Sequence, residues 1–164
     1  MRCMTTKHPH RLRNFSYIGK FHYLLTWCCD ERKQLFNRAN HVDLVIRQIL
    51  RASLETEFEN IAYCYMPDHL HQLVKGKALT SDACEFIRKG KQYSGFYFQR
   101  EYHERLWQRD GHDRLLLSDD AMRAAIRYII DNPVRAGLVR VPEEYPFTGS
   151  DIYTVSELAA LGRR

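Results

Sequence analysis

Near the middle of the chain, two runs with strand composition, Asn60 to Met66 (NIAYCYM) and His69 to Lys75 (HLHQLVK), are separated only by Pro67 and Asp68. Proline presets a turn dihedral and aspartate accepts hydrogen bonds from the backbone just beyond it, so the dipeptide reads as a turn. Strands joined this tightly must pair antiparallel, because a parallel crossover needs a dozen or more residues. Every other element has to be arranged around that hairpin.

Before it, Phe21 to Cys29 (FHYLLTWCC) is rich in aromatic and branched residues and ends in the charged cluster Asp30 to Lys33, which predicts a buried strand and a turn. From Asn40 to Glu57, Val42, Val45, Ile46, Ile49, Leu50 and Leu54 recur at the spacing of an amphipathic helix. After the hairpin, Thr80 to Arg100 reads as a second helix, with Leu79, Ala83, Phe86 and Ile87 on one side and Arg88, Lys89 and Lys91 on the other. Gly90 and Gly95 weaken its second half. A short strand is expected around Asp113 to Leu117, and Ser118 then caps a further helix beginning at Asp119 and Asp120. That helix is expected to stop near Pro133, since the residue before a proline is pushed out of the helical region.

The resulting order, β-α-β-β-α-β plus an additional helix, predicts a ferredoxin-like α+β fold, an antiparallel sheet with helices on one face. The 164 residues suit one domain, with a basic arm over residues 1–20 and a C-terminal extension over 140–164. With 25 Lys and Arg against 20 Asp and Glu, the net charge of +5 favours anionic partners without identifying them. Five cysteines, none in a C-x-x-C pair, read as reduced thiols of a cytoplasmic protein. The N-terminal stretch has no apolar core of signal-peptide length, and nothing later approaches a membrane span, so neither export nor membrane insertion is expected.

In His69-Leu70-His71 the imidazoles are two residues apart on a predicted strand, so both project from one face and can converge on a cation. The bland alternative is two polar residues facing solvent. On the last predicted helix, Tyr128 and Asn132 lie four residues apart and share a face. Among ten tyrosines, an ordinary core tyrosine with its hydroxyl at the rim is the commoner role, as a helix-ending residue is for Asn132.

Three segments change that balance: AYCYMPDHLHQLVKG (Ala62 to Gly76), LWQRDGHDRLLL (Leu106 to Leu117) and RYIIDNPVRAGLV (Arg127 to Val139). In order and spacing the chain resembles the REP-associated tyrosine transposases, relatives of the IS200/IS605 single-stranded DNA transposases, from Arg11 through Tyr153. The resemblance implies that His69 and His71 bind a divalent metal, magnesium or manganese, and that Tyr128 is the nucleophile. It implies Asn132 as a third metal ligand, with Tyr93 and Tyr97 as fallback nucleophiles. In the loop Gln108 to Asp113, Gly111-His112 departs from the family's usual glycine followed by aromatic residues, which bears on DNA contact rather than on catalysis.

A free tyrosine has a pKa near ~10, so about one in a thousand is ionised at neutral pH and the phenol needs help to attack a phosphate. A metal-held phosphate answers that need, and attack by Tyr128 would leave a 5′-phosphotyrosine and a free 3′-hydroxyl that can be rejoined to another strand without ATP. Imidazole donors favour manganese over magnesium. The resemblance implies single-stranded DNA containing a hairpin as the substrate, and either a monomer or a homodimer as the working unit. For DNA contact the sequence offers Lys7, Arg11 and Arg13 of the arm, Arg88, Lys89 and Lys91, the Arg135 to Arg140 segment, and Tyr97, Tyr102 and Trp107 as stacking platforms. Two rivals stay open: an inactive module that only binds DNA hairpins, and a metal-dependent nuclease in which the histidines position water.

Overall fold

In the computed structural model, residues 15–163 are described, and Cys3 and the proposed DNA contacts Lys7, Arg11 and Arg13 lie outside that range. The aromatic and branched run folds as strand β1, His22–Cys29, with Tyr23, Leu25 and Trp27 turned inward and fully buried. Helix α1, Ala39–Thr56, follows the predicted spacing and buries Val42, Val45 and Ile49, while Leu50 and Leu54 fall outside the stripe and are exposed. It ends where Glu57 adopts a left-handed conformation and its N–H bonds back to Ser53 O.

Strands β2, Phe58–Met66, and β3, His69–Gly76, form the expected hairpin around Pro67 and Asp68. Helix α2, Ala83–Tyr102, starts three residues later than expected because Asp82 is its cap, accepting from the N–H groups of Cys84 and Glu85. Strand β4 spans Trp107–Leu116, so the segment read as the loop Gln108 to Asp113 belongs to a strand, with Gly111 opposite Trp27 and a bulge between Trp107 and Gly111. Its charged residues concealed it: an edge strand with water on its outer positions needs no apolar alternation.

Helix α3, Asp119–Arg135, is capped by Ser118 as anticipated but runs through Pro133. The ring removes one N–H bond in the last turn, and the chain still closes that turn with Ala136 N–H to Asn132 O and Leu138 N–H to Pro133 O. Tyr128, Asn132 and Arg135 therefore stay in one helical register. Beyond it, a two-residue strand β5, Thr148–Gly149, and helix α4, Val155–Arg163, were absent from the sequence reading.

The sheet order is β4-β1-β3-β2-β5 with every neighbouring pair antiparallel, a ferredoxin-like arrangement extended by β5. Leu25, Trp27, Leu70 and Val74 face α1 and α2 in one core. Ala62, Cys64 and Leu73 face α3 and α4 in a second core on the other side, so the additional helix carrying Tyr128 covers the opposite face. By strand alternation His69 and His71 share the face of Leu73, beneath α3. Ile126, Ile129 and Ile130 bury at roughly 1.5–3 kcal/mol each and fix that helix over the sheet. Among the described residues, no helix is long and apolar enough to cross a membrane.

Candidate active site

Strand β3 is central, so the backbone under His69 and His71 is held on both sides: Cys28 and Thr26 of β1 lie opposite them, as do Met66 and Cys64 of β2. His71 is almost wholly buried and His69 partly so. Their Nε2 atoms are 3.0 Å apart, and their rings meet edge to face. Two nitrogens at that distance need a proton or a cation between them.

The outer nitrogens are both occupied. His69 Nδ1 is 2.6 Å from Asp68 Oδ1, and a carboxylate can only accept, so the imidazole donates there and its Nε2 carries a lone pair. His71 Nδ1 is 2.8 Å from Thr26 Oγ1, a hydroxyl able to donate or accept. Burial, and after it the charges of His69, Arg135 and Arg32, push the pKa of His71 down to about 3, so this ring is neutral at physiological pH. With a proton between the rings, His71 Nε2–H donates to His69. Were a cation held there instead, the His71 proton would sit on Nδ1 and Thr26 would accept from it.

The spacing fits a metal. Donors about 2.1 Å from an octahedral cation and at right angles to each other stand about 3.0 Å apart. Hydrogen-bonded outer nitrogens are the usual support of metal-binding imidazoles. Among the described residues no group of three or more His, Cys, Asp or Glu side chains could hold a metal, so further donors must be of another kind. Asn132 is one turn beyond Tyr128, with Nδ2 donating to Tyr128 O at 2.9 Å and Oδ1 accepting from Arg135 at 3.1 Å. Its oxygen retains a second lone pair, but the guanidinium beside it opposes a nearby cation.

Tyr128 comes from the opposite layer to the same place. Its ring centroid is 5.1 Å from that of His71, edge to face, and the Arg135 guanidinium lies 4.6 Å over it. The residue is 39% exposed, so it is open to solvent rather than sealed in the core. Histidine pair and tyrosine thus meet within one chain.

The other sequence candidates are placed elsewhere. Arg88 is bonded to Glu85 and Gln92, Lys89 to Glu55, and Lys91 reaches the carbonyls of Gln108 and Asp110, all on α2, which covers the sheet face opposite the histidines. Trp107 is only 6% exposed, packs against Trp27 and Phe36, and donates to Ser94 Oγ, so it is a core residue and cannot stack a base. Tyr97 lies under Arg100, and Tyr102 against His41 and Asn40. Tyr93 donates to Glu55 at 2.7 Å, far from the role of fallback nucleophile.

Asp68, Thr26 and Arg32 were not singled out by sequence. Asp68 was read as a turn former, although its position directly before His69 was a usable signal. Thr26 becomes relevant only through strand register, which one sequence does not reveal.

A ferredoxin-like sheet here carries a histidine pair beneath a helix-borne tyrosine. The sequence model of the IS200-like transposases matches residues 17–129, and the chain belongs to that family. It is 29% identical over 102 residues to a REP-associated tyrosine transposase of Haemophilus influenzae Rd, an alignment covering 56% of this chain and 58% of that protein. The chain thus matches rather more than half the length of that curated relative. Among solved structures, a REP-associated tyrosine transposase bound to a REP hairpin aligns with a TM-score of 0.71 at 21% identity, over 84% of this chain and 81% of the other. A Deinococcus radiodurans R1 protein described as a transposase aligns with a TM-score of 0.53 at 20% identity, over 74% of this chain and 97% of the other.

Proposed function

We propose that this protein cleaves and rejoins single-stranded, hairpin-containing DNA through a 5′-phosphotyrosine on Tyr128, with His69 and His71 holding a divalent magnesium or manganese ion. The observation that carries the reading is the convergence of both Nε2 atoms, 3.0 Å apart, beside the Tyr128 ring. The kind of DNA is inferred from the hairpin bound by the structural relative.

The ion, with Asn132 as a third donor, would polarise a non-bridging phosphate oxygen and offset developing negative charge. Tyr128 Oη attacks phosphorus and gives up its proton; the bond from phosphorus to the upstream 3′-oxygen breaks, and that oxygen leaves as a 3′-hydroxyl after taking a proton. One phosphoester replaces another, so a second 3′-hydroxyl can reverse the step on a different strand. Arg135, whose guanidinium lies over the tyrosine ring, would meet the phosphate's charge.

The test is a denaturing gel of end-labelled oligonucleotides, covering hairpins beside the protein's own gene, incubated with manganese or with EDTA. A covalent adduct that needs manganese and disappears in Tyr128→Phe and His69→Ala is expected. Hairpin binding with no adduct on any oligonucleotide would leave a binding module, and cleaved ends without an adduct would mean hydrolysis.

A further inference from the structure

Arg32 has no part in the reaction as written, yet the chain goes to some cost to place it. It lies in a single 3-10 turn, Asp30–Arg32, directly after β1, where Glu31 and Arg32 both have left-handed backbones, φ 52° and 57°, without a glycine. Each such residue costs on the order of 1 kcal/mol, and surrounding structure has to impose it. Asp30 N–H bonds to Leu106 O, Cys29 N–H to Asp68 O, and Phe36 N–H to Pro67 O, each at 2.9 Å. The turn is thereby docked onto Pro67 and Asp68, the two residues that lead into His69.

From there the guanidinium reaches two groups at once. Nε is 2.8 Å from Asp68 Oδ2, and one terminal nitrogen is 2.8 Å from Cys28 Sγ, on the residue that pairs with His69 across the β1–β3 ladder. The other Asp68 oxygen is the one that accepts from His69 Nδ1. One carboxylate therefore joins guanidinium to imidazole, with one oxygen for each.

We propose that Arg32 is a positioning residue that locks the Asp68 carboxylate and, through it, holds His69 with its Nδ1 protonated and its Nε2 lone pair aimed at His71. A carboxylate held at only one oxygen turns about its last side-chain bond and exchanges its partner for water. Held at both, it keeps a fixed plane, and the imidazole takes its orientation from that plane. Lysine is a poor substitute, because a single ammonium cannot span Asp68 and Cys28 with the fixed fork that guanidinium offers. The consequence for metal affinity rests on the proposed function above; the consequence for the histidine tautomer does not.

The side chain of Arg32 is 53% exposed, so a direct phosphate contact is the competing role. Long-range proton–nitrogen NMR spectra of the metal-free protein separate the two. Wild type is expected to show His69 in the Nδ1–H form, and Arg32→Gln a mixture of tautomers. Manganese binding, followed by electron paramagnetic resonance, should weaken about tenfold in Arg32→Gln and less in Arg32→Lys. Affinity for a hairpin oligonucleotide in EDTA should stay the same. Wild-type tautomer and manganese affinity in Arg32→Gln, with weakened DNA binding in EDTA, would overturn the proposal and make Arg32 a phosphate contact. A tautomer shift in Arg32→Gln in a protein that binds no manganese at all would uphold the positioning role while removing the metal from the proposed function.

Discussion

The ring of Tyr128 stands edge-on to that of His71, with centroids 5.1 Å apart and 75° between planes. The contact is made by the ring, and among the described residues the hydroxyl has no hydrogen-bond partner. Tyr128→Phe should therefore separate chemistry from architecture. Adduct formation is expected to fall by roughly 10⁴-fold or more, as when a nucleophile is removed. The melting temperature should move by no more than about 2 °C, because the lost group is a surface one. Thermal unfolding and the denaturing gel measure the two; an adduct that survives the substitution would place the nucleophile elsewhere.

Trp107 was a candidate for base stacking and is instead part of the first core, against Trp27 at 5.5 Å and Phe36 at 5.6 Å. Trp107→Ala is expected to cost about 3–5 kcal/mol in urea unfolding, the range for emptying a buried aromatic site. A variant as stable as wild type with weakened affinity for single-stranded DNA would return the residue to a binding role.

The hairpin, the first helix and the Ser118 cap were legible because their signals are local: a two-residue turn, a 3.6-residue period, a hydroxyl before two acids. The histidine pair was legible for the same reason, since strand alternation alone puts both rings on one face. Its supports were not, because Thr26 reaches His71 through β1–β3 register and Arg32 reaches Asp68 through a loop docked by long-range hydrogen bonds. β4 was misread over Gln108 to Asp113 because edge position, not apolar content, makes it a strand. α3 outran Pro133 because the packing of Ile126, Ile129 and Ile130 outweighs the preference that a proline imposes on its neighbour. The lysines and arginine of α2 are charged as read; Glu85, three residues before Arg88, was a local partner, but Glu55, which neutralises Lys89, comes into place only on folding.

Gly90 looked like a weak point of α2 and is where the helix comes closest to Trp27: a Cβ there would stand 2.7 Å from Trp27 Cη2. Helix propensity favours Gly90→Ala by up to about 1 kcal/mol, whereas overpacking a buried aromatic costs about 1–3 kcal/mol. The overpacking term is the larger, so Gly90→Ala should destabilise. Equilibrium unfolding of the variant decides the sign; a gain in stability would mean that Trp27 has room to move.

His103 ends α2 with a left-handed backbone, φ 57° and ψ 28°, and an exposed side chain. Glycine takes that conformation without the Cβ penalty. His103→Gly is expected to raise stability by about 0.5–1 kcal/mol, with the adduct yield unchanged because the residue lies outside the site. A loss of stability would show that the side chain makes a contact that the helix end depends on.

Cys29 and Cys64 are fully buried, and burial pushes their thiols up to about 12 and about 11. At pH 8 the folded thiols are thiolate only to roughly one part in 10⁴ and one in 10³, so a disulfide reagent should leave both unmodified until the protein unfolds. The same shifts bear on stability: a thiol that stays protonated when folded but ionises near ~8.5 when unfolded contributes stability below that pH, and the contribution is lost as pH rises toward the folded value. Buried Tyr23, Tyr65 and Tyr145, whose hydroxyls are also raised by burial, act in the same direction. Urea midpoints should therefore fall between pH 7.5 and pH 10, and Cys64→Ala, although less stable at pH 7.5, should show a shallower fall. Rapid labelling of Cys64 in the folded protein would mean that the second face of the sheet is open to solvent and that α3, with Tyr128, is not held against it, whereas rapid labelling of Cys29, or a midpoint independent of pH across that window, would mean that the first core under α1 and α2 is not closed.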